Sequence, residues 1–178
     1  MSADQTSGFC ALIVMGVSGS GKSTIADALG RRLGWIVEDA DRFHPESNVK
    51  KMSAGTPLTD DDRWPWLRAI AAEIARKRAS GTSVIIACSA LKRAYRDILV
   101  QSHDDTRIVY LRGRKELIAA RLNARKNHFM PPGLLDSQFK TLEEPTAGEH
   151  PLVVDIDATV DDIAERIIAL LDQERSVS

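Results

Sequence analysis

Residues 16–23 read GVSGSGKS, between the apolar run Phe9–Met15 and the helix-forming run TIADALGRRL. The pattern G-x-x-x-x-G-K-[ST] in that setting commits the chain to a strand–turn–helix unit whose turn encloses an anion. Gly16, Gly19 and Gly21 let the backbone wrap tightly, with Val17, Ser18 and Ser20 between them. Their N–H groups then face inward, and the helix that follows adds its positive end. In such a turn Lys22 bridges the β- and γ-phosphates of a nucleotide. Ser23 offers a hydroxyl to Mg²⁺, and Thr24 completes the nucleotide-binding set.

The same unit recurs down the chain. Apolar runs at Phe9–Met15, Trp35–Glu38, Val84–Cys88, Ile108–Leu111 and Leu152–Ile156 predict five strands. Several lack polar alternation, as strands buried on both faces of a parallel sheet do. Segments of helical period predict helices at Ser23–Leu33, about Asp62–Ser80, Lys92–Val100, Arg114–Lys126, Leu134–Leu142 and Thr159–Leu171. In the last, Ile163, Ile167, Leu170 and Leu171 form one stripe, and Thr159 with Asp162 resembles a capping box. The expected fold is α/β, a five-stranded parallel sheet flanked by helices. At 178 residues the chain suits one domain, residues 1–178, with fraying at residues 1–7 and 173–178.

Formal net charge is -1, so no basic excess points to nucleic acid or an acidic membrane surface. Cys10 and Cys88 lie in apolar stretches and read as buried free thiols of a reducing cytosol. The N-terminal MSADQTSG lacks the basic region of a signal peptide. The longest apolar run is far short of the ~20 residues that span a bilayer. These features predict a cytoplasmic protein.

A nucleotide at the loop could be a switch or a phosphoryl donor. The N-K-x-D tetrapeptide of a guanine-specific switch does not occur. A donor needs an acceptor site and exclusion of water from the γ-phosphate. The segment EDADRFHP places Asp39 and Asp41 two apart, hence on one face if extended, with Ala40 on the other. One carboxylate would hold hydrated Mg²⁺, here assigned to Asp39. The other, Asp41, would accept the proton of an attacking hydroxyl. Both could instead cap a loop. His44, before Pro45, is a further acceptor-site candidate or simply shapes the turn.

The run TDDDRWPWL suggests a helix with Asp62 as N-cap and Pro65 in the first turn. Asp60, Asp61 and Asp62 suit the helix dipole, but Arg63 does not, so a substrate carboxylate or a neighbouring Asp is its expected partner. In CSALKRAYRD, Ser89 is the candidate cap, and Lys92 with Arg93 crowds the positive helix end. An anion there, phosphate or acid substrate, would relieve that crowding.

Six basic residues fall between Arg112 and Lys126. Arg121 and Arg125 are four apart, on one helix face, and KNHFMPPG follows. Residues of about 114–140 read as a mobile lid whose arginines neutralise transition-state charge and expel water.

Taken together, MGVSGSGKST, D-x-D-x-x-H-P at Asp39–Pro45, NVKKM, G-x-PL-x-DDDR-x-PWL, CSALKR-x-YRD, R-x-x-x-R-x-x-HF and SQF-x-x-LE-x-P resemble the bacterial-type gluconokinases. These are P-loop kinases related in plan to shikimate kinase and the nucleoside monophosphate kinases. The resemblance spans nearly the whole chain. It implies ATP with Mg²⁺, transfer to the 6-hydroxyl of D-gluconate and, as is often the case in the family, a homodimer. It departs at Ala40, where many relatives carry glycine. The residues alone support only a small anionic hydroxyl compound, which shikimate also satisfies, or a nucleotide-dependent regulatory module.

Overall fold

The computed structural model describes residues 8–125 and 133–177. Its strands are β1 (Ala11–Met15), β2 (Ile36–Asp39), β3 (Val84–Ala87), β4 (Thr106–Arg112) and β5 (Leu152–Asp155). All pairings are parallel, in the order β2-β3-β1-β4-β5. The helices are α1 (Lys22–Leu33), α2 (Glu46–Ser53), α3 (Asp60–Ser80), α4 (Arg93–Val100), α5 (Lys115–Ala124), α6 (Leu134–Thr141) and α7 (Val160–Arg175).

The unalternating apolar runs follow from a sheet covered on both faces. Leu12 and Val14 join Ile85, Val109 and Val154 in a core closed by Ile25 and Leu29 of α1 and Ile163 of α7. Ala11, Ile13 and Met15 point the other way, into a core with Leu67 and Ile70 of α3 and Leu99 of α4. Every residue of β1 is fully buried. At ~1.5–3 kcal/mol for each large apolar side chain removed from water, this strand is the sheet's anchor. It sits between β3 and β4, so the loop at its carboxyl end opens over the middle of the sheet, where ligands of such sheets bind.

Several helix ends differ from expectation. Helix α3 starts earlier: Thr59 is its N-cap, and Thr59 and Asp62 form the reciprocal capping box. Asp62 is therefore inside the helix, and Pro65 lies beyond the first turn, where it removes one ladder bond to the exposed Asp61 carbonyl. Ser89 does not cap α4. Lys92 occupies that position, and the Glu143 carboxylate accepts from the Arg93 N–H at 2.8 Å. Helix α7 runs on to Arg175, past the expected end at Leu171. Thr159 caps it by accepting from the Asp162 N–H at 3.1 Å. Helix α2 was not anticipated; its eight residues, ESNVKKMS, are mostly polar, and only Asn48 is buried. No described helix is long and apolar enough to cross a membrane.

Candidate active site

The turn after β1 has the geometry of a phosphate cradle. Gly19 (φ 84°) and Gly21 (φ 93°) are left-handed, a region that side-chain-bearing residues rarely enter. A Cβ on Gly19 would also lie 2.6 Å from Leu122 Cγ, and one on Gly16 would lie 2.6 Å from Ser20 Oγ. Ser20 Oγ is buried without a protein partner among the described residues, a polar atom that a phosphate or its water shell would satisfy. Ser23 and Thr24 open α1 and are exposed. Lys22 donates to the Val17 carbonyl at 3.2 Å. Burial lowers the Lys22 pKa, and the nearby Cys88, Asp41 and Asp39 pull it partly back up. Lys22 and the acidic pair thus share one electrostatic environment. Cys88 itself is pushed up to about 12 by burial and is an inert thiol.

The acidic pair is not on one extended face. Asp39 ends β2, but Asp41 falls within a 3-10 turn, Ala40–Phe43, which Asp39 caps by accepting from the Asp41 N–H at 2.9 Å. A turn, not strand alternation, therefore sets Asp41 relative to Asp39. Ala40 is 1% exposed and packs in the core, and its carbonyl accepts from Trp66 Nε1 at 2.8 Å. His44 stacks on Trp66 with ring centroids 4.3 Å apart, and its Nε2 lies 4.0 Å from Asp41 Oδ1. Burial, with a smaller contribution from Arg63, lowers the His44 pKa against the pull of Asp41.

A second polar group is formed by the starts of α3 and α4. Asp60 accepts from Lys92 Nζ at 3.1 Å and from the Tyr95 hydroxyl, and Arg63 Nη1 lies 3.7 Å from it. The Tyr95 and then the Lys92 hydrogen bond hold the Asp60 carboxyl below its usual range. Arg63 and Lys92 both lie over the Tyr95 ring, at 5.8 and 5.6 Å. Arg63 also donates to the Leu58 carbonyl at 2.8 Å. Two cations are thus gathered on one aromatic and one acid. Arg93 is not brought to this group: its guanidinium runs to Asp97 at 3.3 Å and Thr146 at 3.4 Å.

The loop that delivers Lys92 is held by a buried ion pair that sequence reading missed. Arg96, 1% exposed, donates to Glu149 at 2.7 Å and to the carbonyls of Ala90 and Leu91 at 2.9 and 3.1 Å. Ala90 sits at φ 44°, a left-handed strain that this clamp sustains.

On the lid side, Arg121 donates to the Ile156 carbonyl at 2.7 Å. Arg125 is the extended cap after α5, so the two arginines do not share a helix face as expected. Residues 126–132, the proline-bearing part of the expected lid, lie outside the described residues. Beyond them Gln138 of α6 grips the phosphate loop: its Oε1 accepts from the Ser18 N–H at 2.6 Å, and its Nε2 donates to Ser18 Oγ at 2.8 Å. Only the SQF fragment of the family pattern hinted at this residue.

Residues 12–145 match the family model of an AAA domain. The probable gluconokinase of Xenopus tropicalis is 44% identical to this chain, over 92% of it and 94% of that protein. The chain belongs to the gluconokinase family. The thermoresistant gluconokinase of Escherichia coli K12 is also 44% identical, over 89% of the chain and 91% of that protein. The crystal structure of a gluconokinase from Sinorhizobium meliloti 1021 superposes with a TM-score of 0.82 at 42% identity, covering 92% of each chain. A shikimate kinase from Bacteroides thetaiotaomicron shares the fold, with a TM-score of 0.64 at 17% identity. The gluconokinase family is therefore matched at the level of sequence, and shikimate kinase at the level of fold.

Proposed function

We propose that this member of the gluconokinase family transfers the γ-phosphoryl group of ATP to the 6-hydroxyl of D-gluconate, giving 6-phosphogluconate and ADP. The observation that carries the reading is the position of Asp41, within electrostatic reach of Lys22 and 4.0 Å from His44. A carboxylate between a phosphate-binding lysine and an acceptor pocket is where a hydroxyl must be oriented and relieved of its proton.

In this reading the loop Gly16–Thr24 holds the phosphates of ATP, and Lys22 neutralises charge that develops on the transferred group. Ser23 and Asp39 would hold Mg²⁺. Such an ion keeps several waters and takes only one or two protein ligands, so one hydroxyl and one carboxylate suit it. When bound, it supplies charge neutralisation on the phosphate oxygens. Arg63 and Lys92 receive the gluconate carboxylate, with Tyr95 and Asp60 holding them in place. Asp41 and His44 address hydroxyls. Arg121 and Arg125 flank the nucleotide from the lid.

The buried free thiols Cys10 and Cys88 support a cytoplasmic setting. The homodimer implied by the family resemblance would be tested by light scattering. Catalysis is tested by coupled ADP release with a panel of sugar acids. Gluconate should give the fastest rate, and no rate above the ATP-only background would overturn the reading.

A further inference from the structure

Asn48 is the one buried residue of α2, 2% exposed, on a helix otherwise open to solvent. A buried amide needs partners, and it has two facing its nitrogen. Nδ2 lies 2.9 Å from the Asp62 carbonyl and 3.2 Å from His44 Nδ1. A backbone carbonyl only accepts, so the atom facing Asp62 must be the NH₂ group. Its second N–H is then directed at His44 Nδ1, which must be the bare nitrogen of the ring. A neutral imidazole carries one proton, so that proton is on Nε2. Nε2 is the atom that faces Asp41, at 4.0 Å.

The ring has little freedom to escape this assignment. It is stacked on Trp66 at an interplanar angle of 13°, and Trp66 is itself anchored to the Ala40 carbonyl. Lys51 secures α2 to the same place by donating to the Asp62 carboxylate at 2.8 Å. Asp41 is 87% exposed and free to rotate toward the ring or a substrate.

We propose that Asn48 is a positioning residue that fixes His44 as its Nε2–H tautomer, making His44 and Asp41 a matched donor–acceptor pair for one substrate hydroxyl. The proposal rests on the acceptor-site reading above. A hydroxyl has one proton and two lone pairs. Between an N–H and a carboxylate it accepts from one and donates to the other. With the opposite tautomer it would face two acceptors, and Nε2 would compete with Asp41 for its only proton.

The test pairs a tautomer measurement with kinetics. Long-range ¹⁵N–¹H NMR of histidine-labelled protein should show His44 with Nε2 protonated and Nδ1 bare. Protonation at Nδ1 in the unsubstituted protein overturns the proposal. Asn48→Asp offers an acceptor to Nδ1, so it should move the proton there and lower kcat about tenfold, with KM for ATP within about twofold. A moved proton with unchanged kcat also overturns it. If Asn48→Asp does not fold, His44→Phe and His44→Gln decide. Both keep a planar group near Trp66, but only glutamine keeps a donor, so it should retain several-fold more kcat; equal rates overturn the proposal. The NMR result is independent of substrate, so failure of the gluconate assay remains separate from failure of this inference.

Discussion

Replacing Glu149 with glutamine tests how much the buried ion pair beside the loop that carries Lys92 stabilises the fold. Arg96 and Glu149 are 1% and 7% exposed in their side chains, with an N–O distance of 2.7 Å and a second bond of 3.3 Å. Breaking a buried pair by neutralising one partner typically costs ~3–5 kcal/mol, because the other charge stays buried. Here the loss should fall at the lower end, about 3 kcal/mol. Glutamine still accepts one guanidinium bond, and the Ala90 and Leu91 carbonyls remain. In a chain of this size that corresponds to a fall in Tm of roughly 6–12 °C. Urea unfolding should show a lower midpoint at unchanged slope.

The pH dependence has a defined sign. Burial raises the Glu149 pKa, but Arg96 and the Thr146 N–H outweigh it and hold the carboxyl below its ordinary value. A depressed carboxylate stabilises above its unfolded pKa and loses that contribution as pH falls through the folded one. The gap between the two proteins should thus be full at pH 7 and shrink in acid. Leucine at both 96 and 149 would leave no unpaired charge but would strip the Ala90 and Leu91 carbonyls and the Thr146 N–H of their partners, so it should not restore the parent stability. A Glu149→Gln protein within ~0.5 kcal/mol of the parent at pH 7 would refute the reasoning.

Three further substitutions probe the site. Gly19→Ala would set a methyl against Leu122 at a left-handed position; ATP binding by calorimetry should fall by at least about fivefold, from ~1–3 kcal/mol of strain. Lys92→Met keeps the stem over Tyr95 but removes the charge, so KM for gluconate should rise about tenfold or more, with KM for ATP little changed. The rise should exceed that of Arg93→Met, whose guanidinium points elsewhere. Gln138→Leu removes both bonds to Ser18; steady-state kinetics should show a several-fold higher KM for ATP, while the gluconate KM stays close to the parent value.

The five strands and the phosphate loop were legible because each rests on a local rule: unbroken apolar runs for a doubly covered sheet, and a fixed glycine spacing for an anion-binding turn. The backbone around Asp39 and Asp41 departs from the spacing rule. Spacing of two implied one extended face, whereas the chain leaves β2 at Asp39 and turns. Helix α2 escaped notice because a polar eight-residue segment with one buried amide has no stripe to read. The supports of the site, Asn48 to His44, Arg96 to Glu149 and Gln138 to Ser18, join positions 4, 53 and 120 residues apart. The long pairings depend on the parallel sheet bringing distant loops to one edge, and no local pattern carries them. Lys92 and Arg93 show the same limit. The sequence offers two adjacent cations, and only the fold sends one to Asp60 and the other to Asp97.

The central claim is tested most directly on the product. With [¹³C]gluconate, ATP and Mg²⁺, ¹³C and ³¹P NMR of the reaction mixture should show a phosphate ester coupled to carbon 6. Release of inorganic phosphate alone, or an ester at any other carbon, would contradict the account.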